Sequence, residues 1–149
     1  MSLAKYVALA CIAATLRADP TATCLPSCIS DAPIAGTPYG MSYSAKGQPL
    51  VWMVTGLDPG AYIVDLTFIE SVYQTAGQRP ISVTINDVMF LSGFDVFAAV
   101  GFMKPAVRST IAVPVNGRIV ITIRAATTGM VQHAAILSGL AVRPVAQFQ

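Results

Sequence analysis

From Ala61 to Phe68 the chain alternates: Tyr62, Val64, Leu66 and Phe68 share one parity, and Ile63, Asp65 and Thr67 the other. A period of two points successive side chains to opposite faces of a sheet, so this segment reads as a strand with one apolar face. Leu50 to Val54, which holds Trp52, reads as a strand before it, and Asp58-Pro59-Gly60 is the turn between them. Ile81 to Ile85 and Val88 to Leu91 flank Asn86-Asp87, a two-residue connection suited to a tight hairpin. Arg108 to Val115 and Arg118 to Arg124 flank Asn116-Gly117, the strongest short hairpin signal in the chain, and an apolar strand from Ala134 to Val142 follows. No stretch shows a sustained helical period. Short strands with turn signals at this spacing predict an all-β fold, an antiparallel β-sandwich.

At 149 residues the chain is one domain's worth, long enough to bury a core without disulfide staples. Its organisation reads as an apolar N-terminal segment over 1–19, a Pro-rich irregular excursion over 20–49 and the sandwich core over 50–149. Pro20, Pro26, Pro33, Pro38 and Pro49 exclude helix from the excursion, and place Tyr39 and Tyr43 on a loop. The apolar run from Tyr6 to Leu16 is too short to span a bilayer, which takes about 20 residues. It has two readings: a secretory signal, which would put the protein outside the cell, in the endoplasmic reticulum or at the cell surface, or a strand or short helix retained over Ala4 to Ala14, which fits an intracellular or organellar assembly. Cys11, Cys24 and Cys28 all lie early, and Cys24 with Cys28 is the most plausible pair if one closes.

Charge and chemistry exclude several functions. The nine basic residues are scattered from Lys5 to Arg143 without a stripe, so nucleic acid is not an expected partner. One histidine, His133, cannot build a multi-His metal site and reads as a partly exposed residue at a strand end. The carboxylates have no evident paired partner for acid and base work, and neither a phosphate cradle nor a nucleophile elbow is present. No catalytic residue, metal or cofactor is therefore expected.

What remains is a cluster after the alternating strand. Glu70, Tyr73, Gln74, Gln78 and Arg79, with Asp95 further on, combine an aromatic ring with amide, carboxylate and guanidinium groups. A sugar presents apolar C–H faces ringed by hydroxyls, and this is the set of side chains that recognises both. The alternative for Glu70 and Arg79 is an ordinary salt bridge steadying a loop.

The segment GAYIVDLTFIESVYQTAGQRPISVTINDVMFLSGFDVFAAVG, with VPVNGRIVITI and AAILSGLAVRP after it, resembles the malectin and malectin-like carbohydrate-binding family. The matching positions include Gly60, Tyr62, Phe68, Glu70, Gly77, Gln78, Arg79, Asn86, Phe94, Asp95, Gly101, Ala135, Ile136, Leu137 and Gly139. The resemblance implies a galactose-binding-domain-like jelly roll and a lectin-type role with glucose-containing oligosaccharides, without catalysis. The family's aromatic pair falls on Val72 and Tyr73, so one ring survives; its upstream tyrosines correspond to Tyr39 and Tyr43; and an acidic residue before the closing strand falls near Gln132, an amide.

Two functions follow as expectations. The first is a carbohydrate-binding module for an oligosaccharide or glycoprotein glycan, with Tyr73 stacking on a pyranose, Tyr39 or Tyr43 opposite, and Glu70, Arg79 and Asp95 holding hydroxyls or the loops that do. The second is a structural subunit that meets other protein subunits through an apolar surface, its sugar site eroded. Composition favours the second: charged residues are 11% of the chain, 54% are hydrophobic and the mean hydropathy is +0.64.

Overall fold

The computed structural model describes residues 7–8, 20–25, 29–31 and 40–145. In chain order the elements are β1 (Val7–Ala8), β2 (Thr21–Leu25), β3 (Ile29–Asp31), β4 (Met41–Tyr43), β5 (Leu50–Thr55), β6 (Tyr62–Ile69), β7 (Pro80–Ile85), β8 (Val88–Asp95), the short helix α1 (Val96–Val100), β9 (Pro105–Ala112), β10 (Ile119–Ala125), β11 (Ile136–Leu137) and β12 (Gly139–Pro144). One sheet runs β1-β12-β6-β9, the second β2-β5-β10-β7-β8, and a small third β11-β4-β3. Every strand pair is antiparallel.

The alternation in β6 does what its pattern requires. Tyr62, Val64, Leu66 and Phe68 are buried and meet Trp52, Val54, Val83, Ile85, Ile121 and Ile123 of the facing sheet in one continuous core. Each side chain so buried stabilises the fold by about 2 kcal/mol. Past Leu66 the burial becomes continuous through Ile69, where the chain between β11 and β12 joins β6: Ser138 N–H donates to Thr67 O at 2.8 Å. The third sheet is tied to this core through polar groups. Trp52 Nε1 donates to Ser42 Oγ at 3.3 Å, and Ser42 Oγ donates to Leu137 O at 2.9 Å.

Several expectations need correction. The Asn116-Gly117 turn forms, with φ of 53° and 75° and a bridge between Val115 and Arg118, but it does not join a hairpin within one sheet. β9 pairs with β6 and β10 with β5 and β7, so the turn carries the chain between sheets; Pro114, which has no N–H to donate, sits where ladder pairing has already ended. The apolar run Ala134 to Val142 divides at Ser138 into β11 and β12, which lie in different sheets. The strand expected to stop at Leu91 continues to Asp95 through register shifts against β7. The stretch read as an irregular excursion contributes β2, β3 and β4, and Tyr43 is a strand residue. Of the apolar run from Ala4 to Ala14, only Val7–Ala8 lies among the described residues, paired with Val142 and Ala141. Cys24, in β2, is disulfide-bonded; the proposed pairing with Cys28, like Cys11, lies outside the described residues.

Register sorts the connections between the two ends of the sandwich. Leu50 pairs with Ile123, Ala125 with Ile81, Pro80 with Asp95 and Ile69 with Pro105, so the loops over 44–49, 70–79, 96–104 and 126–135 gather at one end. The turns at Asn86-Asp87 and Asn116-Gly117 stand at the other. Asn86 joins them: its Nδ2 donates to Val113 O at 3.1 Å and its Oδ1 accepts from Val120 N–H at 2.8 Å.

Candidate functional site: the loop end of the sandwich

Glu70 leaves β6 directly into the loop end, and its side chain turns inward rather than to solvent. Arg79 Nε donates to Oε1 at 3.1 Å and Nη2 to Oε2 at 2.9 Å, a two-pronged pairing of planar guanidinium with planar carboxylate. Oε2 also accepts from the backbone N–H groups of Val72 at 3.1 Å and Tyr73 at 3.3 Å, which folds the start of the loop around the carboxylate. The third donor direction of Arg79 is used as well: Nη1 donates to Ala134 O at 2.9 Å, joining the 70–79 loop to the 126–135 loop. The two side chains are 3% and 5% exposed, so this is a buried ion pair whose hydrogen-bonding capacity is spent on the loop backbone.

Tyr73 is half-buried, and its ring is fixed from three directions. The Arg79 guanidinium lies 4.9 Å over the ring centroid, the His133 ring meets it edge-on with centroids 5.1 Å apart at 90°, and the hydroxyl lies 2.6 Å from His133 Nδ1. On the far side of the imidazole, Nε2 contacts Thr128 Oγ1, and Thr128 Oγ1 reaches Gln78 O at 3.2 Å. A threonine hydroxyl has one proton to give. Given to the Gln78 carbonyl, it leaves Oγ1 to accept from Nε2–H, and Nδ1 to accept from the Tyr73 hydroxyl. The relay is complete with His133 neutral. Burial and the neighbouring Arg79 guanidinium lower the imidazole pKa below 6.5, and Lys46 acts in the same direction; Glu70 opposes them more weakly than burial.

Two further contacts set the rim. Asp95 caps α1 by accepting from Ala98 N–H at 3.1 Å through Oδ1, and its Oδ2 accepts from Gly77 N–H in the neighbouring loop. Gln132 is exposed, with its amide against Gly47 of the 44–49 turn, where a Cβ would stand 2.8 Å from Gln132 Cδ. That turn is joined to the same loop by Gly47 N–H donating to His133 O at 3.0 Å. Four connections are thereby knitted into one surface: Tyr73 stands in it, Val72, Gln74, Thr75, Gln78 and Gln132 are exposed around it, and no group of metal-binding side chains occurs among the described residues.

Comparison with known proteins decides the family. The malectin domain model matches residues 42–139, well over half of the chain. The chain belongs to the malectin domain family. This malectin domain is similar in fold to the ectodomain of ANX2 from Arabidopsis thaliana, at 17% identity and a TM-score of 0.62 over 72% of this chain and 33% of that one. It is similar also to a chain of the plant peptide RALF23 complex with FER and LLG2, at 16% identity and a TM-score of 0.62 over 74% of this chain and 35% of that one. A more distant likeness, at 12% identity and a TM-score of 0.57, is to Bacteroides uniformis beta-glucuronidase 2, of which the match covers 13% against 77% of this chain. The domain thus spans about a third of the length of the plant ectodomains it resembles. A search of functionally curated proteins found no match.

The family is one of carbohydrate-binding-type folds, generally non-catalytic. Of the residues singled out in the sequence, the malectin domain brings Glu70, Tyr73, Arg79, Asp95 and Gln132 to the loop end. Glu70 and Arg79 are too deeply buried to meet a ligand and instead hold the loops. Tyr43 is partly buried in β4, paired with Ile136 and Ile29, and Tyr39 lies outside the described residues. His133, expected to be a partly exposed strand-end residue, is 2% exposed and central to the loop network. Its partnership with Tyr73 is not legible in the sequence, because the contact joins residues 60 positions apart; Thr128 reaches Tyr73 only through His133.

Proposed function

We propose that this malectin domain is a non-catalytic carbohydrate-binding module for glucose-type oligosaccharides, with Tyr73 as its stacking platform. The observation that carries the proposal is the way Tyr73 is held: a partly exposed side chain whose orientation is fixed by Arg79, His133 and the Glu70-anchored backbone before any ligand arrives. A ring already ordered loses little conformational freedom on binding, which favours stacking against a pyranose face. Gln74, Gln78 and Gln132 supply amide donors and acceptors for hydroxyls at the rim, and Tyr43 and Tyr39 are the further aromatic candidates. Glu70, Arg79 and Asp95 serve by holding the loops.

Trp52 is 3% exposed in the core, so calorimetry is the appropriate readout. Titration of the chain with glucose di- and oligosaccharides is expected to give saturable binding that Tyr73→Ala abolishes while the β-sheet circular dichroism is retained. Unchanged affinity in a folded Tyr73→Ala variant would remove Tyr73 from the site. The second reading, an interaction subunit, is favoured by an apolar groove between β8 and β9 at the opposite end of the sandwich, lined by the exposed Val88, Met89, Ile111, Val113 and Val115.

A further inference from the structure

His133 stands where three connections of the loop end meet. Its ring contacts Tyr73 of the 70–79 loop and Thr128 of its own 126–135 loop, and its carbonyl accepts from Gly47 N–H of the 44–49 turn at 3.0 Å. The two residues after it continue the seam. Ala134 O accepts from Arg79 Nη1 at 2.9 Å, Ala135 O accepts from Ser44 N–H at 3.0 Å, and Ala135 N–H donates to Ser44 Oγ at 3.0 Å. The residue is buried, so the imidazole at this junction is screened from water.

The junction is matched to a neutral ring. With Nδ1 accepting from the Tyr73 hydroxyl and Nε2–H donating to Thr128 Oγ1, each ring nitrogen has one complementary partner. A second ring proton, placed on Nδ1, reverses the first of these bonds: the Tyr73 oxygen must accept, and neither the imidazolium nor Arg79 can take the proton it then turns away. The charge that arrives also lacks a free counterion. Arg79, whose guanidinium lies 4.9 Å over the Tyr73 ring, has the same sign, and so has the exposed Lys46 of the 44–49 turn. Glu70 is the one carboxylate acting on the ring, and it already accepts two bonds from Arg79 and one each from the Val72 and Tyr73 backbone. The 126–135 loop brings no other titratable side chain. A cation enclosed in this way is relieved by reaching water, which requires the ring to leave Tyr73.

We infer that neutral His133 is the positioning residue of the Tyr73 platform, and that its protonation releases Tyr73 together with the loop contacts that meet there. The sign follows from the closed ring holding its proton less tightly than an open one. Between the closed-state value and 6.5 the open ring is charged and the closed ring is neutral, so opening becomes easier as pH falls through 6.5 and levels off below the closed-state value. Each pH unit separating the two states weakens closure about tenfold. The sandwich beneath keeps its fold, since its core is built of apolar side chains. On the reading that the loop end binds glycans, which this inference extends, the module holds its ligand at neutral pH and lets it go in mildly acidic surroundings.

Solution NMR of the isotope-labelled full chain without sugar, from about pH 7.5 to about pH 5, tests the positioning itself. At the upper end the His133 ring is expected as the Nε2–H tautomer. Amide exchange, corrected for its intrinsic pH dependence, is expected to show the protection of Gly47, Val72 and Tyr73 N–H falling at least about threefold as the ring titrates, with the β6 amide shifts still at their native positions. His133→Asn keeps an acceptor for the Tyr73 hydroxyl and takes no proton, so it is expected to remove the pH response. Lys46→Ala, at an exposed position, is expected at low salt to raise the His133 midpoint and the midpoint of loosening together, and it carries the comparison if His133→Asn does not fold. Protection that stays flat while the ring titrates, falls equally in His133→Asn, or fails to follow the ring in Lys46→Ala overturns the proposal. Calorimetry with a glucose oligosaccharide at the same two pH values is expected to show weaker binding in acid by the factor that protection loses. Equal affinity at both also overturns it, whereas binding absent at both refutes the glycan reading alone, because the exchange result is obtained without ligand.

Discussion

Arg79→Ala is the perturbation that tests most sharply how the loop end is held. In the native domain the Glu70 carboxylate accepts four hydrogen bonds: Arg79 Nε and Nη2, and the N–H groups of Val72 and Tyr73. Removing the guanidinium takes away two of them and the countercharge, strips Ala134 O of its donor and uncovers one face of the Tyr73 ring. With the pair 5% and 3% exposed, water does not replace what is lost, and a carboxylate left uncompensated in such a site costs about 3–5 kcal/mol. At about 3 °C per kcal/mol for a domain of this size, the midpoint of thermal unfolding is expected to fall by about 12 °C. Arg79→Lys should fall between wild type and alanine, since a single ammonium cannot span Glu70 and Ala134 as the fork does. Thermal melts followed by circular dichroism, repeated in the Glu70→Gln background, are the assay. A drop under about 3 °C for Arg79→Ala, or strictly additive losses in the double variant, would refute the claim that the pair is buried and coupled.

Other expectations follow from the same geometry. His133 is held neutral with a lowered pKa, so between that value and 6.5 the unfolded chain binds a proton that the folded chain does not; stability should be full above about pH 6.5 and decline as pH falls below it. Urea midpoints at neutral and mildly acidic pH should show this decline in wild type and less of it in His133→Asn. Tyr73→Phe strands the buried Nδ1 acceptor and should cost about 1–3 kcal/mol by denaturant titration. Leu66→Ala, at a fully buried position of β6, should cost about 2–5 kcal/mol in the same measurement. Gly47→Ala, at φ 77°, should cost about 1–2 kcal/mol and push the Gln132 amide aside, lowering oligosaccharide affinity by calorimetry more than it lowers folding yield.

Local pattern made the scaffold legible and long-range contact made the site only partly so. The period of two in β6 and the dihedrals demanded by Asn116-Gly117 are properties of a few consecutive residues, and both are present in the fold. Which sheet a strand joins after a turn is not such a property: the turn fixes four residues' geometry and says nothing of partners, so β9 and β10 part company although the sequence reads as a hairpin. Ser138 interrupts an apolar run without any turn signal, and the change of sheet there follows from pairing with Thr67 and with β6. At the loop end, the residue types of Glu70, Tyr73 and Arg79 pointed to recognition chemistry, yet burial divides them into one ring that can meet a ligand and two charges that cannot. His133 reads as a strand-end residue because nothing in its own neighbourhood discloses that Tyr73, 60 positions away, closes over it.

The central claim, that the loop end around Tyr73 is a glycan-binding surface, is tested most directly by amide chemical-shift mapping of the isotope-labelled chain titrated with a glucose oligosaccharide. The account predicts saturable shifts confined to 44–48, 71–78 and 126–133, with the β8–β9 groove unaffected. Absent shifts, or shifts centred on the groove at the opposite end, would contradict it.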